Sequence, residues 1–276
     1  MTTTTASSPL GRVLERDRLT AEDLLAVAQG ESLALRIDAF YDEETCRELS
    51  ERLKAAQGIW TSYSEESGAS DIKTAGPALF DCFNQVGQEL CRAYWEEGFK
   101  MHRKLRSVLH PATLPVDRVQ LELDHVWPEG AGLLHIERRA AFYGLVRMFT
   151  KGGAAHPHTD RADWDFPSDE TKRLRAQLFV NGYLEKTSGG GSVRLWDLQP
   201  DRAEYDAMRN PAIPYSLDPA LLPEPAVEIE VPVGSLLIAN AWKVHEVTAC
   251  EGTGARVSAS GFIGYSGPEE PLRLFS

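Results

Sequence analysis

The sequence has few cysteines and no long apolar run. Its four cysteines, Cys46, Cys82, Cys91 and Cys250, form neither a CxxC pair nor a regular framework, so we expect buried or free thiols in a reducing compartment. No stretch approaches the roughly 20 apolar residues that a membrane span needs. The Thr/Ser-rich residues 1–9 lack the charged and apolar regions of a signal peptide. These absences predict a cytoplasmic protein with a frayed N-terminus and no membrane partner.

An excess of positive charge is also missing. The 276 residues include 41 acidic and 29 basic side chains, which gives a formal net charge of -12. Nucleic acids are bound by basic faces that displace counterions, so we expect no nucleic-acid partner. The hydrophobic content of 42% is enough for a full core. We predict a tail and short helix over residues 1–32 and a single domain over residues 33–276.

Helical patterns dominate the first part of the chain. Thr20 followed by Asp23 resembles a capping box that opens a short helix. Residues 33–37 alternate as in a strand, and a helical pattern follows them. Apolar residues then recur at helical spacing between Pro77 and Pro111, which predicts a long amphipathic helix.

Short segments rich in β-branched and aromatic residues replace these helices after about Gly130. Many short strands with turn residues between them predict a mainly β barrel or sandwich, with the preceding helices covering one sheet. Residues 198–225 contain six prolines and are too polar for a core strand, so we interpret them as a surface insertion and a candidate lid. The predicted strands are Ala141 to Thr150, Arg175 to Tyr183, Ser192 to Trp196, Val227 to Val231, Ser235 to Ile238 and Arg256 to Tyr265.

The segment His156 to Asp160 carries the first chemical signal. At the end of a strand, residues two apart point to the same face, so His158 and Asp160 can present an imidazole and a carboxylate to one point. His156 does not complete this His-x-Asp triplet, and we therefore favour His158 as the ligand. Such a triplet also arises by chance at protein surfaces, so it needs further support.

A distant histidine and an arginine supply that support. His245 lies in the largely apolar segment 238–247, where a hydrogen-bonded core histidine is the alternative to a ligand. Arg256, Ser258 and Ser260 share one face of the next predicted strand. A buried arginine is costly unless it meets an anion, and its guanidinium matches a carboxylate in bidentate fashion. A small dicarboxylate with one end on a metal is a natural counterpart.

The order of His-x-Asp, a distant histidine and an arginine eleven residues later resembles the iron(II)/2-oxoglutarate-dependent dioxygenase superfamily. The segment Phe149 to Gly152 is similar to the tyrosine-x-x-glycine lead of its prolyl-4-hydroxylase-like branch, with Phe149 in place of the tyrosine. Gly189 to Trp196 is similar to the next hairpin of that branch, and the likeness covers most of Leu33 to Gly267. The resemblance implies a double-stranded β-helix, a cupin-like jelly roll, over about residues 141–267, with the N-terminal helices packed on one sheet.

The resemblance also implies a cofactor and two cosubstrates. Iron(II) would be held by His158, Asp160 and His245, the facial triad of two histidines and one carboxylate. The far carboxylate of 2-oxoglutarate would meet Arg256, with Ser258 as a second donor, and dioxygen would be the other cosubstrate. Hydroxylation with release of succinate and CO2 is then the expected reaction. Halogenating members lack the carboxylate of the triplet, so the presence of Asp160 argues against halogenation.

Further residues are candidates for the pocket. By strand alternation, Gln177 and Phe179 are candidate cosubstrate contacts, although Gln177 equally suits a hydrogen-bonding core residue. Arg147 is a candidate grip for a substrate carboxylate, with a solvent-facing or structural role as its alternative. Trp164 and Trp242 are candidate walls of the substrate pocket or, alternatively, packing residues.

The substrate is predicted only by class. A candidate carboxylate grip and the lack of a basic face favour a small molecule such as a free amino acid or a related metabolite. A hydroxylase of peptidyl or carrier-tethered residues, a non-catalytic cupin-like metal-binding protein and a zinc hydrolase are the alternatives. The sequence does not indicate the oligomeric state.

Overall fold

The computed structural model describes residues 12–62, 71–82 and 88–276, and its regular structure is mostly sheet with packed helices, which confirms the predicted mainly β class. The predicted frayed terminus at residues 1–9 lies outside the described residues. The helices are α1 (Ala21–Ala28), α2 (Glu43–Ala55), α3 (Gln88–Leu109), α4 (Pro115–Val126), α5 (Ala162–Asp165) and α6 (Arg202–Ala207). The strands are β1 (Val13–Arg16), β2 (Ala34–Ile37), β3 (Thr61–Ser62), β4 (Ile72–Ala75), β5 (Ala131–Leu133), β6 (His135–Ile136), β7 (Arg139–Ala140), β8 (Leu145–Phe149), β9 (Ala155–His158), β10 (Ala176–Glu185), β11 (Gly189–Gly190), β12 (Val193–Leu195), β13 (Val227–Ile229), β14 (Leu236–Asn240), β15 (His245–Val247), β16 (Cys250–Glu251), β17 (Arg256–Tyr265) and β18 (Leu272–Phe275).

The first helix begins where the capping pattern predicts it. Thr20 accepts a hydrogen bond from the amide of Asp23 at 3.1 Å, which satisfies one of the free donors at the start of α1. The side chain of Asn240 on β14 donates to the carbonyl of Val27 at 3.3 Å, so α1 lies against the sheet. Strand β1, which the sequence did not predict, pairs in parallel with β2. This early segment therefore shares the sheet of the later strands.

The predicted long helix is only partly as expected. A short 3-10 helix spans Leu79–Cys82 and α3 spans Gln88–Leu109, whereas residues 83–87 lie outside the described part of the chain. Gly98 lies within α3 and does not interrupt it. A separate helix, α4, follows with Pro115 in its first turn, where a missing amide hydrogen costs nothing. None of the helices in the described ranges is long and apolar enough to cross a membrane.

The main sheet of the described residues has ten strands, and β17 is central in it. Strand β17 pairs antiparallel with β10 on one side and with β8 on the other. Ser258 is opposite Arg147 on β8 and Tyr183 on β10. Because side chains alternate between the two faces of a strand, Arg256, Ser258 and Ser260 share one face. The other face packs in a hydrophobic core with α1 to α4.

A second sheet in the described residues has the order β13-β12-β15-β9. Residues from both sheets line one cavity, so the polar face of β17 is opposite β9 and β15. The insertion 198–225 has α6, a 3-10 helix at Pro219–Leu221 and one isolated bridge. It is tied to β9 by a hydrogen bond from the amide of Leu217 to the carbonyl of Pro157 at 2.7 Å.

Candidate metal centre and cosubstrate cavity

The structure brings together the three predicted metal ligands. Strands β9 and β15 pair in a register that places His158 opposite His245, and their ring centroids are 4.3 Å apart. Asp160 follows β9, and one of its carboxylate oxygens lies 3.2 Å from Nε2 of His245 and 3.8 Å from Nε2 of His158. One potential ligand atom from each residue lies within 4.8 Å of the other two. A single cation can therefore contact all three.

Backbone carbonyls orient both imidazoles. Nδ1 of His158 lies 2.6 Å from the carbonyl oxygen of His156, and Nδ1 of His245 lies 3.0 Å from that of Lys243. A carbonyl oxygen only accepts, so each Nδ1 carries the hydrogen and the Nε2 lone pair remains for a metal. Such hydrogen bonds fix the tautomer and ring orientation of metal-binding histidines.

The protonation states also suit a divalent cation. Burial, together with the neighbouring His245, lowers the pKa of His158 to about 4, so this imidazole is neutral at pH 7. Burial acts to raise the pKa of Asp160, but His158 and His245 outweigh it and lower that pKa to about 2. Two imidazole nitrogens and one ionised carboxylate form a ligand set for iron(II) and other first-row metals. The residues present therefore fit the metal that the sequence implies.

A cavity of about 100 Å³ lies beside this cluster. Its walls include Arg147, Phe149, Phe179, Asn181, Arg256 and Ser258 together with the three candidate ligands. The predicted cosubstrate contacts Phe179, Arg256 and Ser258 thus lie in one small space with the candidate metal site.

Arg256 is the most unusual residue of this cavity. Its exposed fraction is only 3%, and no carboxylate of the described residues lies within ion-pair distance of it. Nη2 donates to the hydroxyl of Tyr183 at 3.1 Å, whereas the buried Nε has no hydrogen-bond partner among the residues that the structure describes. Its Cζ lies 4.9 Å from the ring centroids of Phe149 and Tyr183. A guanidinium in such surroundings is costly unless an anion meets it.

The other predicted contacts divide between the cavity and the core. Arg147 lines the cavity, and its Nη1 donates to the hydroxyl of Ser260 at 2.9 Å. Gln177 is not part of the cavity wall. Its side-chain oxygen accepts a hydrogen bond from the amide of Ala162 at 2.9 Å, and only 1% of the residue is exposed. The contacts of Gln177 are those of the hydrogen-bonding core residue that the sequence left as its alternative.

The two predicted tryptophans lie together, outside the cavity wall. The guanidinium of Arg161, which directly follows Asp160, lies 4.3 Å from the ring of Trp164 and 3.8 Å from the ring of Trp242. Arg161 also forms an ion pair with Asp163 at 2.7 Å. The tryptophans therefore pack around a side chain next to the candidate metal site.

Sequence reasoning missed two tyrosines of the site. Tyr183 is on the same face of β10 as Phe179, so strand alternation was a usable signal for it. Tyr215 of the insertion accepts a hydrogen bond from the amide of His156 at 3.2 Å, and its ring centroid lies 5.7 Å from that of His158. No local pattern marks Tyr215, because this contact depends on the path of the whole insertion.

Comparison with known proteins gives a partial sequence relative and a match in fold. No family model matches the chain. Over 112 residues the sequence is 30% identical to an L-isoleucine 3(1)-dioxygenase of Pantoea ananatis (strain AJ13355), a match that covers 39% of this chain and only 38% of that protein.

The structural match extends over nearly the whole molecule. An N-substituted L-amino acid dioxygenase from Burkholderia ambifaria AMMD has a TM-score of 0.62 at 19% identity, with 93% of this chain and 91% of that chain covered. Its complex with α-ketoglutarate gives a TM-score of 0.60 at 18% identity over the same shares. At these identities the likeness shows the fold. The chain therefore has the fold of an N-substituted L-amino acid dioxygenase, and the resemblance to 2-oxoglutarate-dependent dioxygenases drawn from its sequence is confirmed.

Proposed function

We propose that this protein is an iron(II)- and 2-oxoglutarate-dependent oxygenase that hydroxylates an unactivated C–H bond of a free amino acid or related metabolite. The observation that carries the proposal is the position of Arg256. A buried guanidinium without an acidic partner among the described residues lines the same small cavity as a His-Asp-His cluster. That combination calls for a ligand with a carboxylate at one end and a metal-binding group at the other.

The roles of the residues follow from their geometry. His158 and His245 would hold the metal through Nε2, and Asp160 through its carboxylate. Arg256 and the hydroxyl of Ser258 would hold the far carboxylate of 2-oxoglutarate. When bound, iron and its two cosubstrates supply the oxidising power for hydroxylation, with succinate and CO2 as products. The rings of Phe149 and Phe179 in the cavity wall would limit the access of water, which strengthens these polar contacts.

The substrate would approach from the side covered by the insertion. Tyr215 of the insertion lies against His158. We therefore propose that residues 198–225 act as a lid and that Trp164 and Trp242 form walls of the substrate pocket. The names of the similar proteins, which refer to isoleucine and to N-substituted L-amino acids, support an amino acid as substrate.

The finer architecture is part of this proposal. The two sheets facing each other across the cavity support a double-stranded β-helix over about residues 141–267. The boundary predicted between residues 32 and 33 remains a prediction, because a shared sheet does not test independent folding. The predicted cytoplasmic location also remains a prediction.

Turnover with a substrate panel tests the proposal. The iron-loaded protein is incubated in air with 2-oxoglutarate and free amino acids, their N-acyl derivatives or short peptides, and succinate and hydroxylated product are measured by mass spectrometry. We expect one succinate for each hydroxylated amino acid, loss of both in His158→Ala, and retention of both in the matched control His156→Ala. A reaction restricted to peptides would contradict the proposed substrate class. Zinc-dependent hydrolysis that ignores 2-oxoglutarate would contradict the oxygenase itself.

A further inference from the structure

Two arginines, and not one, line the cavity. Arg147 and Arg256 are on the neighbouring strands β8 and β17, and both side chains line the same space of about 100 Å³. Arg147 is directly opposite Ser258, two residues from Arg256. Diagonal neighbours of this kind have Cα atoms about 7–8 Å apart. The two guanidiniums therefore belong to one binding site.

In the part of the chain that the structure describes, no acidic side chain forms a salt bridge with either arginine. Within the described residues, neither arginine has a carboxylate within ion-pair distance; Arg147 is bonded to Ser260 and Arg256 to Tyr183. The cavity wall also contains Glu246, but its carboxylate is paired with Arg194 at 3.0 Å. Asp160 is assigned to the metal. Two uncompensated like charges in a small space repel each other and lose hydration, so the site favours a ligand with two negative charges.

The two arginines differ in their distance from the candidate metal. The ring centroid of Phe179 lies 5.0 Å from that of His245, and Phe179 is opposite Phe262 on β17, so the candidate metal site lies beside the Phe262 end of this part of the strand. Arg147 is hydrogen-bonded to Ser260, which lies on β17 four residues after Arg256 and therefore nearer to Phe262. Arg147 is thus at the metal end of the cavity and Arg256 at the far end, with Ser258 between them.

We propose that Arg147 is a second anchor for the cosubstrate, which binds the carboxylate beside the 2-oxo group, and is not a grip for the substrate. This inference rests on the proposed function and names the residue for each end of 2-oxoglutarate. The dicarboxylate lies over Ser258, with one guanidinium at each carboxylate. Substrate recognition then falls to residues outside this cavity, on the side of the insertion.

Calorimetric titration of the Mn(II)-loaded protein shows which arginine binds each end of 2-oxoglutarate. The ligands are 2-oxoglutarate and 2-oxopentanoate, which has the same chain length and the same 2-oxo acid end but no far carboxylate. The variants are Arg147→Met and Arg256→Met, with Arg147→Lys to keep the charge and Lys73→Met as matched control. Lys73 is exposed on β4 and is opposite Met148, so its side chain is on the other face of the sheet from Arg147. Thermal unfolding and Mn(II) affinity are measured for each variant.

Each arginine has a distinct expected signature. Arg147→Met weakens the binding of both ligands by about tenfold or more, the usual effect of losing a hydrogen bond to a charged group, and Arg147→Lys recovers part of it. Arg256→Met weakens 2-oxoglutarate by a similar factor and leaves 2-oxopentanoate unchanged. Lys73→Met changes neither.

Two results would overturn the assignment of Arg147 alone. Unchanged binding of both ligands to Arg147→Met would leave this arginine free for the substrate. Weakened binding of 2-oxoglutarate only would place Arg147 at the same carboxylate as Arg256. If the unmodified protein bound neither ligand, the proposed function itself would fail, and the inference with it.

Discussion

Nη2 of Arg256 donates a hydrogen bond to the hydroxyl of Tyr183 at 3.1 Å. On β8, the residue opposite Arg256 is Phe149, which stands where the sequence resemblance led us to look for a tyrosine. The hydroxyl next to the guanidinium thus comes from β10 and not from β8. Tyr183 can accept from Arg256 and donate its own hydrogen to a carboxylate that the arginine binds.

Removing this hydroxyl is expected to weaken cosubstrate binding. In Tyr183→Phe we predict about a tenfold loss of 2-oxoglutarate affinity, because a hydrogen bond to a charged group is lost, with unchanged Mn(II) affinity. Calorimetry on the Mn(II)-loaded protein measures both. The matched control is Tyr143→Phe, whose buried hydroxyl has no hydrogen-bond partner in the structure, so its loss leaves ligand binding intact. Equal affinities for Tyr183→Phe and the unmodified protein would show that the hydroxyl does not contribute.

The lack of a side chain at Gly191 leaves room for the side chain of Arg256. A Cβ atom at this position would lie 3.2 Å from Cδ of Arg256 and 3.3 Å from Sγ of Cys250, and the backbone φ is +75°, which L-residues rarely adopt. We predict that Gly191→Ala lowers the free energy of unfolding by about 1 kcal/mol or more and weakens 2-oxoglutarate binding. Denaturant unfolding and calorimetry measure the two effects.

The control for Gly191 is Gly189, which lies two residues before it, in strand β11. A Cβ at Gly189 has ordinary contacts, with Cβ of Glu251 nearest at 3.7 Å, so we expect Gly189→Ala to keep its cosubstrate affinity. A loss of affinity in both variants would attribute the effect to the hairpin as a whole and not to Arg256.

Gln177 is expected to affect stability and not binding. Its side-chain oxygen accepts a hydrogen bond from the amide of Ala162, the first residue of α5, and Gln177→Leu leaves that buried donor unsatisfied. The cost should be about 1–3 kcal/mol in the free energy of unfolding, while 2-oxoglutarate affinity at low temperature stays the same. Denaturant unfolding and calorimetry test the two parts, and a selective loss of affinity would return Gln177 to the cosubstrate site.

Asp165 predicts a pH dependence of stability. Burial, and secondarily the charge of Asp160, raises the pKa of Asp165 to about 7 in the folded protein, above its ordinary value of about 3.9. Folding therefore favours the neutral acid. The stability from this group is fully present below the ordinary pKa and is lost as the pH rises through about 7.

Asp165→Asn should remove this loss. In the metal-free protein, we expect the Tm of the variant to exceed that of the unmodified protein by about 2 °C or more at pH 8, and by less at pH 5. Differential scanning calorimetry at both pH values measures it. Asp169→Asn, in which an exposed carboxylate is replaced, is the control and should show no such difference. An equal change at both pH values would contradict the raised pKa.

The parts of the site that the sequence predicts are those that depend on local periodicity. Alternation along one strand was enough to place Arg256 and Ser258 on a common face. Alternation also placed Gln177 on the same face as Phe179. It does not show how far along the strand the cavity extends, and in the structure the side chain of Gln177 is hydrogen-bonded to α5 instead. The contact of Tyr183 with Arg256 depends on the register between β10 and β17, which no single segment encodes.

The helical part shows the same limit. Caps and apolar spacing predict α1, because these signals are local. The end predicted for the long helix before Pro111 agrees with the end of α3 at Leu109, whereas α4 was not predicted. Strand β1 was also missed, because it is a short strand of four residues at an edge of the sheet formed by the described residues.

Anaerobic titration of the metal-free protein with iron(II) and 2-oxoglutarate, followed by visible absorption, tests the central claim most directly. A weak charge-transfer band reports 2-oxoglutarate chelated to the iron. The account predicts that the band forms in the unmodified protein and in His156→Ala, is absent in His158→Ala, and requires a higher 2-oxoglutarate concentration in Arg256→Met. No band in a protein shown to contain bound iron(II), or an unchanged band in His158→Ala, would contradict it.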